Sequence, residues 1–153
     1  VFGTDHGPSG GDELNLINEG RNYGWPCISS GRLYSAKLNT ESFYPEIDSI
    51  DGCSSKIDYT KPTFSLSQSG IGISQGLSYT GSHFSAFTDN LIVSSLKGQT
   101  LFRFILDDKK EKVISYEEIP VSGRVRDITT TADGKIAFIT DKGYLVVVKK
   151  NIE

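Results

Sequence analysis

The densest chemistry in the chain lies near its start. There His6-Gly7-Pro8-Ser9-Gly10-Gly11-Asp12-Glu13-Leu14-Asn15-Leu16-Ile17 is followed by Gly20-Arg21-Asn22-Tyr23-Gly24-Trp25-Pro26. Glycines let backbone carbonyls turn toward a bound ion, and Pro8 fixes its own φ. Asp12 and Glu13 add hard carboxylate oxygens. A calcium ion gathers roughly six to eight such oxygens, backbone carbonyls included. A glycine-rich turn closed by a strand-end acidic pair accounts for the same residues without an ion. Cys27 and Cys53 form no CxxC pair and have no histidine at zinc spacing, which argues against a metal site made from them. A disulfide stapling the loop between them, formed in an oxidising compartment, is the expectation; two unrelated buried thiols are the alternative.

The elements that must position these residues read as strands. VFGTDHG is a short strand entering a glycine-rich turn, and residues 12–17 are a second strand, with NEGRNYG as the turn after it. Residues 27–63 show neither a two-residue nor a 3.6-residue period, and 27–75 is expected to be a long excursion loop. Loops of that length in compact domains are usually functional or disordered. From Gly76 onward GLSYTG, residues 90–96, 100–106 and 113–120 are strand-like runs separated by turn signals at Thr88-Asp89-Asn90, Lys97-Gly98 and 107–112. Residues 125–131, 135–141 and 144–150 follow, joined by Asp133-Gly134 and Lys142-Gly143, and an Asp-Gly pair between strand runs is a strong hairpin signal. No convincing amphipathic helix is found.

Four antiparallel strands followed by a tight return is the rhythm of a β-propeller, whose repeats run about 40–50 residues per blade. Residues 76–120 fit one blade, 124–150 supply three strands of the next, and 1–17 supply two of an earlier one. The expected fold is therefore all-β, a propeller of four-stranded blades, of which residues 1–153 supply about three. A propeller needs at least about four blades to close. The unpaired edges would then be covered by missing sequence or by another chain. A small β-sandwich is the runner-up, although it would not need the long loop.

Composition narrows the function. The chain has 153 residues, a net charge of −3 and 37% hydrophobic residues. It can bury a core, and its charge argues against a general nucleic-acid binder. Acidic residues outnumber basic ones nine to five in 1–75 and trail them ten to eleven in 76–153. The first half could therefore favour a cation and the second an anion, although surface scatter explains such a split almost as well. No apolar run approaches the roughly 18 residues of a membrane span. No charged-then-apolar leader opens the sequence, and any signal peptide is expected to be already absent.

The segment HGPSGGDELNLI followed by GRNYGWP resembles the signature of the glucose/sorbosone dehydrogenase family, the soluble aldose dehydrogenases that use pyrroloquinoline quinone (PQQ). Asn90-Leu91-Ile92-Val93-Ser94-Ser95-Leu96-Lys97 is similar to the family's strand ending in a cofactor-contacting lysine, and Leu101-Phe102-Arg103 follows as expected. Gly123-Arg124-Val125-Arg126-Asp127-Ile128 is similar to its Arg-x-Arg-Asp motif. Ala132-Asp133-Gly134 and Ile139-Thr140-Asp141 match its last blade. The first motif is highly specific; the later ones gain weight from their order. Residues 66–75 depart from the family, which tends to have an aromatic and then a Ser- or Pro-containing run there.

The resemblance implies a six-bladed propeller that oxidises the anomeric hydroxyl of aldoses to a lactone and passes two electrons to the quinone. It assigns the backbone carbonyls of Gly7 and Pro8 to the calcium ion that touches the quinone. The Glu13 carboxylate and the Tyr23 backbone oxygen would go to a further calcium site. Lys97, Arg124 and Arg126 would contact PQQ, which carries three carboxylates and a reducible dione. Arginine offers carboxylates a bidentate fork, and lysine a compact charge for a reduced oxygen. On one strand, Arg124 and Arg126 would point to the same face; a pair of solvated strand-end arginines is the simpler account. The family's catalytic base is a histidine from the N-terminal half, so no catalytic residue is expected in this chain. His6 is read as structural, His83 as solvent-facing in a hairpin turn, and Trp25 as packed under the calcium loop.

The implied function is part of a PQQ- and calcium-dependent aldose dehydrogenase, exported from the cytoplasm to the periplasm, cell surface or medium. Its partners would be an aldose, an external electron acceptor, and the missing N-terminal half or a second copy. It is expected to be inactive alone. The alternative is a non-catalytic, calcium-stabilised propeller that binds a protein or glycan.

Overall fold

A computed structural model of the chain describes residues 1–31, 47–66 and 70–151. The chain divides into two compact units, Val1–Gly72 and Ile73–Glu153. Among the described residues there is no α-helix, only 3-10 turns at Ile47–Ser49 and Ser85–Phe87, and no helix long and apolar enough to cross a membrane.

In the first unit, β1 (Phe2–Asp5), β2 (Asp12–Leu16) and β3 (Phe64–Leu66) form an antiparallel sheet in the order β1-β2-β3. β2 lies between two partners, with Asn15 opposite Gly3 and Glu13 opposite Ser65. That central place explains why Asp12 through Asn15 are buried although three of the four are polar. Cys27 and Cys53 form a disulfide with Cα atoms 5.4 Å apart. It bridges the irregular stretch that residues 47–57 fill with backbone turns, Cys53 N–H donating to the Ile50 carbonyl and Ile57 N–H to that of Ser54.

The stretch read as an excursion loop contains strand at two places, β3 and the start of β4 at Ile73. β3 has three residues, too few to show a period, and pairing with distant β2 makes it a strand. Alternation from Ile73 is hidden by a register shift between Ile73 and Gly76, where an extra residue breaks the pleat.

In the second unit, β4 (Ile73–Ser78), β5 (Leu91–Ser95), β6 (Thr100–Leu106) and β7 (Val113–Pro120) form a four-stranded antiparallel sheet in sequence order. β8 (Val125–Thr130), β9 (Ile136–Thr140) and β10 (Leu145–Val147) form a three-stranded sheet in the order β10-β9-β8. Tyr79, Ile92, Leu101, Val125, Ile128, Ile136 and Phe138 make one buried apolar cluster drawn from both sheets. The two hairpins of the last sheet turn at Gly134 (φ 78°) and Gly143 (φ 80°), a left-handed backbone that glycine adopts without penalty. The first of these turns is also pinned from the neighbouring sheet, because the buried Tyr79 hydroxyl donates to the Gly134 carbonyl at 2.5 Å.

Candidate functional site

The glycine-rich turn of the first unit is held by a buried carboxylate. Asp12, only 1% exposed, accepts from Gly7 N–H at 2.9 Å and from Gly72 N–H at 2.7 Å. It thereby ties the turn before β2 to the chain beyond β3. The backbone approaches are close: a Cβ on Gly7 would stand 1.7 Å from the Gly10 carbonyl oxygen, and one on Gly31 would stand 2.1 Å from the same atom. Only residues without a side chain fit there. Pro8 is buried beside them.

Glu13 points away from Asp12, as neighbours on a strand must. Its carboxylate accepts from Ser30 N–H (3.4 Å) and Ser30 Oγ–H (3.1 Å), and the Ser30 and Ser65 hydroxyls lie 3.2 Å apart. Asn15, two residues on, shares the Glu13 face of β2; it is buried, and its Oδ1 has no hydrogen-bond partner. This face gathers a carboxylate, an amide oxygen and two hydroxyls, oxygens of the class a hard cation takes. Among the described residues no three His, Cys, Asp or Glu side chains converge, so an ion here would rely on backbone and hydroxyl oxygens around one carboxylate. The Tyr23 hydroxyl donates to the Leu16 carbonyl (2.6 Å) and accepts from Asn18 N–H (2.8 Å). Its side chain braces the turn.

Two further expectations fail. Trp25 is 54% exposed: it lies on the outside of its loop instead of packing beneath it. His83, in the second unit, is half-buried, its ring edge-on to Phe84 at 4.7 Å and its Nε2 shielded without a partner. The 3-10 turn at Ser85–Phe87 clusters aromatic rings at this point.

Lys97, Arg124 and Arg126 stand on a turn or at the start of a strand. Lys97 is exposed in the turn after β5, which the Ser95 hydroxyl closes through Thr100 O and Thr100 N–H. Arg124 precedes β8, and its Nε lies 3.0 Å from Asp141 Oδ2, while Asp141 N–H donates to the Arg124 carbonyl. Arg126 occupies an irregularity: Val125 pairs with Thr140 and Asp127 with Ile139, so Arg126 is the unpaired extra residue. The bulge explains why Val125 and Ile128, three apart, are both buried, while Arg126 and Asp127 are both exposed. Arg124 and Arg126 are both exposed on either side of buried Val125, and the two-residue alternation breaks only after Arg126, at Asp127. Lys97 and Arg126 make no ion pair with a described residue.

Sequence reasoning missed Asp141 as the partner of Arg124, because their pairing is set by register across a hairpin. It also missed Asn15 and left Asp12 open between an ion ligand and a strand-end acid. The alternation of DELN along a buried strand was the available signal. Of the departing segment 66–75, residues 67–69 lie outside the described residues, and Leu66 and Ile73 are buried.

Comparison with known proteins places these features together. The family described as Glucose / Sorbosone dehydrogenase matches residues 1–147. Aldose sugar dehydrogenase YliI of Escherichia coli (strain K12) is 29% identical over 141 residues, covering 91% of this chain and 35% of that protein. Quinoprotein glucose dehydrogenase B of Acinetobacter calcoaceticus is 24% identical over 179 residues, covering 89% of this chain and 37% of its own length. The crystal structure of a glucose dehydrogenase is similar with a TM-score of 0.79 at 29% identity, over 98% of this chain and 41% of that one. The chain thus spans little more than a third of the length of these curated relatives. Its sheets are propeller blades, one of four strands and two of three. With the profile match running from the glycine turn through the last hairpin, the chain belongs to the glucose/sorbosone dehydrogenase family.

Proposed function

We propose that this chain is part of a quinoprotein oxidoreductase that oxidises aldoses to lactones with PQQ and calcium and delivers the electrons to an external acceptor. The single observation that carries the proposal is the order of its motifs. The glycine turn, the lysine after β5 and the Arg-x-Arg-Asp segment at β8 all fall within one continuous family match over residues 1–147. A quinoprotein glucose dehydrogenase among the relatives supports PQQ as the cofactor. The disulfide supports an extracytoplasmic location.

The residues present fit these groups. The Gly7–Gly10 approach leaves backbone where a side chain would otherwise stand, which suits calcium held by the Gly7 and Pro8 carbonyls. The Glu13 carboxylate and the Tyr23 backbone oxygen would serve a further calcium, and the orphaned Asn15 oxygen beside Glu13 is a donor of the same hard class. When bound, PQQ supplies the dione that takes up two electrons, and calcium the Lewis acidity that polarises it. Lys97 and Arg126 bring positive charge uncommitted to any described acid. Asp141 orients Arg124 while leaving guanidinium N–H groups for a carboxylate. In this reading the base for the sugar hydroxyl proton, which hydride transfer needs in the same pocket, comes from polypeptide outside these residues. These residues alone therefore bind and orient but do not turn over.

The test uses the 153-residue chain and the natural polypeptide that contains it. The isolated chain with PQQ, calcium and glucose should give no dye reduction. The natural polypeptide should bind PQQ in isothermal titration calorimetry, and Arg126→Ala should weaken that binding by about 10-fold or more, beyond the effect of Lys109→Ala on an exposed turn. Dye reduction by the isolated chain at an ordinary rate would sink the account of the missing base. Absence of PQQ binding by the natural polypeptide would favour the non-catalytic, calcium-stabilised propeller.

A further inference from the structure

Polar side chains of the second unit converge on the segment that carries Arg124 and Arg126. The Arg124 carbonyl accepts from Asp141 N–H on the β9 side. The next carbonyl, that of Val125, therefore faces away from β9, as antiparallel pairing requires. Val125 is fully buried, so this carbonyl needs a donor from another element. Ser74 supplies it, its hydroxyl donating to Val125 O at 2.8 Å. The Ser74 Oγ also lies 2.8 Å from the Oγ of Ser94. Ser94 is fully buried in turn, its hydroxyl donating to Gln75 O at 3.1 Å and accepting from Gln75 N–H at 3.3 Å. It stands on β5, the strand whose following turn carries Lys97.

Two irregularities bring these groups together. Ile73 pairs with Ser95 and Gly76 with Val93, so β4 sets both Ser74 and Gln75 opposite Ser94. A bulge of this kind re-aims a side chain. Here the Ser74 hydroxyl reaches the neighbouring sheet beside that sheet's own extra residue, Arg126. A second tie comes from the lysine turn itself. Gln99 has a left-handed backbone (φ 49°). Its carbonyl accepts from Val121 N–H at 2.8 Å and its side-chain Oε1 from Gly123 N–H at 3.2 Å. Both neighbours of Arg124 are thus bonded to the β5–β6 hairpin, Gly123 through Gln99 and Val125 through Ser74 and Ser94.

We propose that Ser74, Ser94 and Gln99 are positioning residues that fix the backbone of Arg124 and Arg126 relative to Lys97, a role that rests on the reading of these cations as PQQ contacts. Lys97 and Arg126 make no ion pair with a described residue, so their placement falls to the backbone that carries them. A guanidinium fork must meet a carboxylate in the right plane. A segment held in place before the ligand arrives avoids the ordering cost of binding.

Isothermal titration calorimetry of PQQ on the natural polypeptide tests this through double-mutant cycles, without turnover. Ser74→Ala leaves the Val125 carbonyl without its donor and should weaken PQQ binding by about 10-fold or more. In an Arg126→Ala background the same change should cost less than about 3-fold, because the serine acts through that arginine. Ser74→Thr, which keeps the hydroxyl, should restore most of the lost affinity. Gln99→Asn tolerates left-handed backbone but is one methylene short of Gly123 N–H. It should weaken PQQ by about 3-fold, an effect that disappears in an Arg124→Ala background. This second cycle, on an exposed turn, decides the matter if Ser74→Ala does not fold. Equal weakening with and without the arginine would mark these residues as parts of the fold alone and overturn the proposal. So would unchanged PQQ affinity in both Ser74→Ala and Gln99→Asn. Absence of PQQ binding by the unaltered polypeptide would instead overturn the cofactor reading, and this proposal with it.

Discussion

β2 and β5 each lie inside a sheet with a partner on either side, and they are buried for different reasons. β5 carries Leu91, Ile92 and Val93 at 4%, 0% and 0% exposure, and apolar burial needs no particular partner. β2 carries Asp12, Glu13 and Asn15 at 1%, 7% and 3%, where every polar group needs a partner or costs free energy. Asp12 meets that demand with two backbone N–H groups, and Glu13 with Ser30. Asn15 Oδ1 does not meet it. The second unit's apolar core rests on packing that tolerates similar apolar residues, with the buried Ser95 and Tyr79 hydroxyls pinning two of its turns. The first depends on named hydrogen bonds, glycine contacts and a covalent staple.

This contrast can be broken from the apolar side first. Ile92→Ala should cost about 2–5 kcal/mol in urea denaturation followed by circular dichroism, whereas Ile92→Val should cost about 0.5–1.5 kcal/mol. A smaller loss is expected from the staple. Cys53→Ser opens the link across a sequence separation of 26 and should remove about 2–4 kcal/mol. Trp25, the only tryptophan and part of the first unit, provides the fluorescence signal. Asp12→Asn keeps the shape but loses the charge and one acceptor, and should cost about 1–3 kcal/mol. Calcium binding by the natural polypeptide should fall more for Glu13→Gln than for Asp12→Asn, since Asp12 is spent on backbone donors. The reverse order would assign ligation to the wrong side of β2.

The smallest effect concerns an exposed turn. Asp133 is held down to about 2 by its hydrogen bond from Lys135 and then by that from Thr131. Because the folded value lies below the ordinary 3.8, the carboxylate favours the folded state above that ordinary value. Its contribution is lost as pH falls toward 2. A carboxyl-carbon NMR titration should place the midpoint near 2, and Lys135→Ala should move it back up. An unmoved midpoint in that variant would show that the turn backbone is responsible.

Hairpins in the second unit were legible because their information is local. Asp133-Gly134 and Lys142-Gly143 mark turns whose backbone needs glycine, and apolar runs such as residues 100–106 are bounded by turn signals. The disulfide was legible as an expectation because there were two cysteines and an irregular segment between them. β3 was not, because three residues carry no period. Nor was the exposure of Asp127 beside Arg126, because a bulge shifts alternation without changing any residue type.

The sequence by itself determined the residue chemistry: a glycine turn with adjacent carboxylates, two arginines flanking one valine, and strands spaced as propeller blades. Which carboxylate would be spent on the backbone, which arginine would be paired and which edge would remain open were decided only in the tertiary structure. Those outcomes depend on register between strands up to about 50 residues apart, as for Asp12 and Leu66. A one-residue shift in such pairing exchanges the faces of every side chain on the strand. The residue types name the possible chemistry, and the pairing of distant backbone selects among its arrangements.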